Sequence, residues 1–126
     1  MYKLPTHVIN GLQAFNQGDY YDAHEHFEFA WRETPDVSRE FFRALLHLSG
    51  GYYRLSEDRP DAALKFFQRS LHWMGKFPSP FYLIDTEALK SHLNLLIAAI
   101  HSGQTSSVIL KQLSYQIPWP GKETYL

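Results

Sequence analysis

The sequence predicts an all-α protein, and three observations carry that prediction. Apolar residues recur at intervals of three and four along most of the chain, a spacing that places them on one face of a helix. No segment combines a period-two alternation with the turns of a β-hairpin. Prolines, glycines and polar turns separate five helical segments with short connections. We therefore expect a compact five-helix antiparallel bundle or helical-hairpin array.

The first two predicted helices follow each other almost directly. Helix one is predicted over residues 6–17, with Thr6 as its N-cap, and Gly18 suits the left-handed position beyond a helix end. Helix two is predicted over residues 19–33. It ends before Pro35, because a proline disfavours the helical conformation of the residue that precedes it.

Helix three, predicted over residues 38–57, has the widest apolar surface and is therefore expected to be the central helix. Its polar residues form only a narrow strip, which includes Arg43 and His47. Gly50 and Gly51 interrupt it at a cost of about 1 kcal/mol each relative to alanine. Close approach of a neighbouring helix is the expected reason for both glycines.

Two further helices and a tail complete the predicted domain. Helix four is predicted over residues 60–75, and helix five from an Asp85 cap to His101. The C-terminal strap, residues 104–126, reads as either a short helix or an extended segment. The basic residues of helix four are expected to form a solvated face without stacking aromatic side chains; they are Lys65, Arg69, His72 and Lys76.

Length and composition exclude several classes of protein. A chain of 126 residues fits one helical domain over 1–126, and its net charge of −1 argues against a nucleic-acid partner. The absence of cysteine excludes disulfides, thiolate metal sites and cysteine nucleophiles. No apolar run is long enough for a signal peptide or a membrane span, so we expect no membrane partner and a cytoplasmic location. No cofactor motif is complete, and none is predicted.

The densest polar cluster lies on helix two, from His24 to Glu28. His24 and Glu28 stand one helical turn apart and share one side, whereas Glu25 and His26 are expected to point elsewhere. Zinc proteases require a histidine at the position of Glu28, and zinc deaminases require cysteines that the chain lacks. Paired Glu-x-x-His spacing, typical of di-iron bundles, does not occur either. No metal site is predicted, and His24 and Glu28 are only weak candidate ligands.

The cluster has three interpretations. In the structural one, His24 and Glu28 form a partly buried hydrogen-bonded pair that orients helix two against the Arg43/His47 strip or against Arg39. In the second, the same side chains belong to a ligand-binding site, and in the third they serve catalysis or bind a metal. Trp31 is expected to belong to the core, with a place in a pocket wall as the alternative.

The stretch from Phe15 to Trp31 resembles the signature of a prokaryotic family, domain of unknown function 309. The family pattern is an Asn-x-Gly-x-Tyr turn followed by Glu/Asp-Ala-His-Glu-x-x-Glu-x-x-Trp. The matching residues are Asn16, Gly18, Tyr20 or Tyr21, Asp22, Ala23, His24, Glu25, Glu28 and Trp31. The resemblance covers about residues 10–75. It departs from the pattern at His47, Arg54 and Ala62, where the family commonly has glutamine, histidine and glycine.

The resemblance implies a compact all-α fold in which the motif helix packs against the long central helix, and it implies no activity. We expect a binding protein for an unknown small molecule or protein, with homo-oligomerisation left open. The candidate binding residues are His24, Glu25, Glu28, Trp31, Arg39, Arg43 and His47. The alternative is an enzyme, a small-molecule or metal-dependent hydrolase that uses His24 and Glu28, although the lack of a complete catalytic constellation leans against an enzyme.

Overall fold

A computed structural model of the chain describes residues 3–125, and within them the fold is all-α. The helices are α1 (Thr6–Asn16), α2 (Tyr20–Glu33), α3 (Arg39–Ser56), α4 (Pro60–Met74), α5 (Thr86–His101) and α6 (Ser106–Gln112), followed by a 3-10 turn (Lys122–Tyr125). The only β-type pairing among these residues is an isolated bridge between Phe81 and Ile84. The predicted fold class is confirmed.

The predicted helix ends are met to within about one residue, with one correction. The N-cap of α1 is Pro5 rather than Thr6. Of the two alternatives for the C-terminal strap, the short helix is present as α6, with Thr105 as its cap. The side chain of Asp85 accepts a hydrogen bond from the Ala88 amide at 3.0 Å, so the predicted cap of α5 is present.

Consecutive helices contact each other, and α3 packs against both α2 and α4. Eleven residues of α3 are buried, more than in any other helix described, which agrees with its predicted central place. Its strip of half-buried residues, which includes Arg43 and His47, is left facing the gap between α2 and α4. The arrangement of these three helices therefore decides where the polar side chains of α3 can act.

The two glycines of α3 are sites of close packing, as predicted. A Cβ atom at Gly51 would lie 2.3 Å from the ring of Phe67, and one at Gly50 would lie 3.1 Å from the ring of Phe66. Both phenylalanines belong to α4. The glycines thus allow α4 to approach α3 more closely than a side chain would permit.

The C-terminal strap returns across the bundle and is held by side-chain hydrogen bonds. Asn16 donates to the Ile117 carbonyl at 3.0 Å and accepts from the Ile117 amide at 2.7 Å. The Tyr125 hydroxyl donates to the Tyr82 carbonyl at 2.6 Å. Leu126, the last residue of the strap, lies outside the described residues. Over residues 3–125, no helix is both long and apolar enough to cross a bilayer.

Candidate functional site

A cleft of about 570 Å³ opens between α2, α3 and α4, with α3 as its floor. Its volume falls within the range of about 300–1,000 Å³ that is common for small-molecule sites. The lining combines aromatic and titratable side chains from all three helices: His24, Glu28, Trp31, Arg43, Leu46, His47, Phe66, Arg69 and Trp73. The motif helix and the polar strip of α3 therefore meet at a concave surface.

One end of the cleft is closed by an arginine held between two indole rings. The guanidinium carbon of Arg43 lies 4.7 Å from the ring centre of Trp31 and 4.5 Å from that of Trp73. Its Nε is also 3.2 Å from a carboxylate oxygen of Glu40, one turn earlier on α3. Stacking and ion pairing together fix the guanidinium in place. Trp31 was expected in the core; it is instead half-buried, packing on the core while its ring lines the cleft.

His47 stands on the floor of the cleft beside these groups. Burial, followed by the positive charges of Arg69 and Arg43, lowers the pKa of His47 to about 4, so the imidazole is neutral near pH 7. Its Nδ1 is buried and has no hydrogen-bond partner among the described residues. The same holds for the indole nitrogen of Trp31. Buried polar atoms of this kind are normally satisfied, so both are ready to accept or donate to a further group.

His24 lies at the opposite end of the cleft, close to the point where α2 and α4 approach α3 at Gly50. A Cβ atom at Gly50 would lie 3.4 Å from the His24 ring, so the glycine leaves room for the imidazole. Burial lowers the pKa of His24, while the nearby carboxylates of Glu28 and Glu25 oppose the shift. The imidazole is therefore neutral near pH 7 and keeps a lone pair for a proton or a metal.

The prediction that His24 and Glu28 form a hydrogen-bonded pair is wrong. His24 Nδ1 lies nearest to a carboxylate oxygen of Glu25, at 3.9 Å, and Glu28 forms an ion pair at 3.3 Å with Arg32. Both side chains line the same cleft without hydrogen bonding to each other.

Glu25 also differs from the sequence-based expectation, because it does not point away from His24. A nitrogen of His24 and carboxylate oxygens of Glu25 and Glu28 all lie within 4.8 Å of one another. Among the described residues this is the one group of three or more such ligands. One imidazole and two carboxylates form a donor set suited to a divalent ion such as Zn²⁺ or Mn²⁺.

Two further polar residues, Arg39 of α3 and His26 of α2, lie outside the cleft lining. Arg39 donates from Nε to the Trp31 carbonyl at 3.3 Å and lies over the indole, so it supports Trp31 from outside the cleft lining. His26 faces α1, where its Nδ1 is 3.2 Å from that of His7. One helix therefore separates its two histidines onto different sides.

The sequence-based prediction missed the contribution of α4, namely Phe66, Arg69 and Trp73. These residues recur at intervals of three and four, which places them along one side of the helix. The prediction treated Arg69 as part of a solvated basic face without aromatic neighbours. The side chain is exposed, but it lies between two aromatic residues on the cleft wall, and the helical spacing was the signal that could have revealed this.

Fold and geometry together define a helical domain with a cleft of mixed polar and aromatic lining between three of its helices. A family model described as a domain of unknown function (DUF309) matches residues 8–66, so the predicted resemblance is confirmed over that segment. The match ends at Phe66, and the remaining cleft residues of α4, Arg69 and Trp73, lie beyond it. No curated protein matches the chain.

Proposed function

We propose that the chain is a binding protein that takes a small molecule into the cleft between α2, α3 and α4. The observation that carries the proposal is the convergence of aromatic and polar side chains from three helices on a concave space of about 570 Å³. The unpartnered buried atoms, Nδ1 of His47 and Nε1 of Trp31, add specific points at which a ligand would be recognised.

The cleft is also organised before any ligand arrives, which favours binding because less ordering accompanies it. Arg43 is held by stacking on Trp31 and Trp73 and by its ion pair with Glu40. Each of these residues lies on a helix rather than a loop. A ligand would therefore meet a preformed surface.

A metabolite screen followed by amide and indole NMR mapping tests the proposal. We expect at least one ligand to shift signals of cleft residues, and its Kd to rise about fivefold or more in His47→Ala, because the substitution removes a polar contact worth about 1 kcal/mol. His101→Ala, at the exposed end of α5, is the matched control and should bind as the wild type does. Ligands that map only to α5 and α6, or that bind His47→Ala with full affinity, would contradict the proposal.

A second candidate function, a metal-dependent hydrolase, is favoured by a separate observation, the convergence of His24, Glu25 and Glu28 within 4.8 Å. Three protein ligands with further coordination positions open to water are typical of catalytic rather than structural zinc sites. A bound ion would lower the pKa of a coordinated water and so provide a nucleophile near neutral pH.

Titration calorimetry with Zn²⁺ and with Mn²⁺ tests this candidate. We expect one equivalent to bind, with affinity at least about tenfold lower in His24→Ala, because one of three ligands is lost. His26→Ala is the control, since that imidazole lies on the same helix but faces His7. Equal affinity in His24→Ala would eliminate the metal site. Metal-dependent turnover of ester or phosphoester substrates that disappears in His24→Ala would favour the hydrolase over simple binding.

A further inference from the structure

We infer that the ligand of the cleft is an organic anion, a carboxylate or phosphate joined to a flat apolar group, with its negative charge held at Arg69 and His47. The inference rests on the proposed binding function and adds the chemical class of the ligand. It is carried by the distribution of paired and unpaired charges along the cleft and by the aromatic groups that flank them.

The charged groups of the cleft are not equally free to meet a ligand. Arg43 is paired with Glu40 at 3.2 Å, and Glu28 is paired with Arg32 at 3.3 Å. Arg69, by contrast, has no carboxylate within ion-pair distance in the described part of the chain. The charge left uncompensated on the α4 wall of the cleft is therefore positive.

The floor of the cleft also lies close to positive charge. Burial, followed by the positive charges of Arg69 and Arg43, lowers the pKa of His47, so the imidazole lies close to two guanidinium groups. A neutral imidazole has one N–H, which it can donate to an oxyanion, and Arg69 can add a charge-assisted hydrogen bond from its guanidinium. An anion near both groups would offset the positive charge of Arg69 and would favour protonation of His47.

The remaining lining is suited to a flat apolar body. Phe66 precedes Arg69 by about one turn and Trp73 follows it by about one turn, so the three side chains lie along the same wall of the cleft. Leu46 adds an aliphatic contact from the floor. Rings of a ligand can stack against such side chains while the attached anion reaches Arg69. A bare inorganic ion would leave these apolar contacts unused.

The NMR signals of the tryptophan side chains can report on binding in the cleft. Trp31 and Trp73 line the cleft, whereas Trp119 lies on the C-terminal strap and stacks on Tyr125. The chain has three tryptophans, so the indole N–H signals give two reporters and one internal control. Benzoate and phenyl phosphate are the anionic probes, and benzamide and benzylamine are the neutral and cationic probes of matched ring size.

We expect benzoate or phenyl phosphate to shift the Trp31 and Trp73 signals saturably and to leave Trp119 unmoved. The neutral and cationic probes should need about tenfold higher concentrations, since a charge-assisted hydrogen bond changes affinity by roughly that factor. Binding should also raise the pKa of His47, which a pH titration of the NMR signals of its ring measures. The tighter of the two anionic probes identifies the ligand group as carboxylate or phosphate.

Two variants test the assigned residue. Arg69→Ala should raise the Kd of the anionic probe about tenfold, while Lys65→Ala, an exposed cation one turn earlier on the same helix, should leave it unchanged. Benzamide or benzylamine binding as tightly as the anions would overturn the inference and leave the proposed binding function intact. Full affinity in Arg69→Ala, or anionic probes that shift no cleft indole, would also overturn the inference, and the metabolite screen would then decide the binding function separately.

Discussion

Gly51 shows how a single missing side chain determines the approach of two helices. A Cβ atom at this position would lie 2.3, 2.6 and 2.8 Å from three atoms of the Phe67 ring, which is fully buried. The ring has little room to move, because it packs edge-on against buried Tyr52 at a centroid distance of 5.6 Å. We therefore expect Gly51→Ala to lower the free energy of unfolding by about 2 kcal/mol, since overpacking outweighs the gain in helix propensity.

Gly50→Ala is the matched control for that substitution. Its Cβ would lie 3.1 Å from Phe66, a half-buried ring at the open cleft that can move by a few tenths of an ångström. We expect the helix-propensity gain to offset the crowding and leave stability within about 0.5 kcal/mol of the wild type. Urea denaturation of both variants measures the difference, and a Gly51→Ala protein as stable as the wild type would refute the packing argument.

The residues of the cleft fall into those that sequence alone could find and those that it could not. His24 and Glu28 lie one turn apart on α2, and Arg43 and His47 belong to the polar strip of an otherwise apolar helix. The spacing of these four residues in the sequence was therefore sufficient to select them as candidates. The side chain of Glu25 is long enough to approach His24, and a helical wheel does not represent side-chain length. Arg69 depends on the place of α4 beside α3, a tertiary relation that no local pattern contains.

At the scale of the element, α2 presents a different face to each neighbour. Ala23, Phe27 and Ala30 are its buried stripe, His24 and Glu28 line the cleft, and His26 faces α1. The strong 3.6-residue period and the polar turns that flank it explain why sequence placed this helix to within about one residue. The segment that matches the family model therefore includes residues that build the core as well as residues of the cleft.

The sequence did not decide whether the strap contains a helix, because α6 is short. A helix of seven residues has little intrinsic stability, and its conformation depends on tertiary contacts. Ile109 is fully buried and the helix packs against α3 and α5, contacts between residues far apart in the sequence. The N-caps Asp85 and Thr105 are both local sequence signals. Only Asp85 is followed by an apolar pattern long enough to identify a helix.

At the scale of the whole molecule, the C-terminal strap joins the first and last parts of the chain to the centre. Asn16 holds Ile117 at the end of α1. The Tyr52 hydroxyl donates to the Leu113 carbonyl and lies 2.6 Å from His92 Nε2, while the His92 ring stacks on Tyr115 at 4.0 Å. Because the hydroxyl proton is used by Leu113, the hydroxyl accepts from His92 Nε2–H. The neutral imidazole thus connects α5, α3 and the strap.

This connection predicts a loss of stability in acid. Burial lowers the pKa of His92 to about 4, although the backbone of Leu113 favours the charged imidazole and opposes the shift. An unfolded chain has its histidine pKa near 6.5, so between about pH 6.5 and 4 the unfolded state binds more protons and stability rises with pH. From pH 7.5 to 5 the contribution of His92 should cost at most about 2 kcal/mol of unfolding free energy.

His47 titrates over the same window, so the two contributions must be separated by variants. His92→Gln should lower stability at pH 7.5 and reduce the loss between pH 7.5 and 5, because glutamine does not take up a proton. His47→Gln should remove a different part of the pH dependence while leaving the Tyr52–Leu113 connection in place. Denaturant unfolding at both pH values measures each slope. If His92→Gln kept the full wild-type slope, the buried imidazole would not be the group through which acid loosens the strap from the bundle.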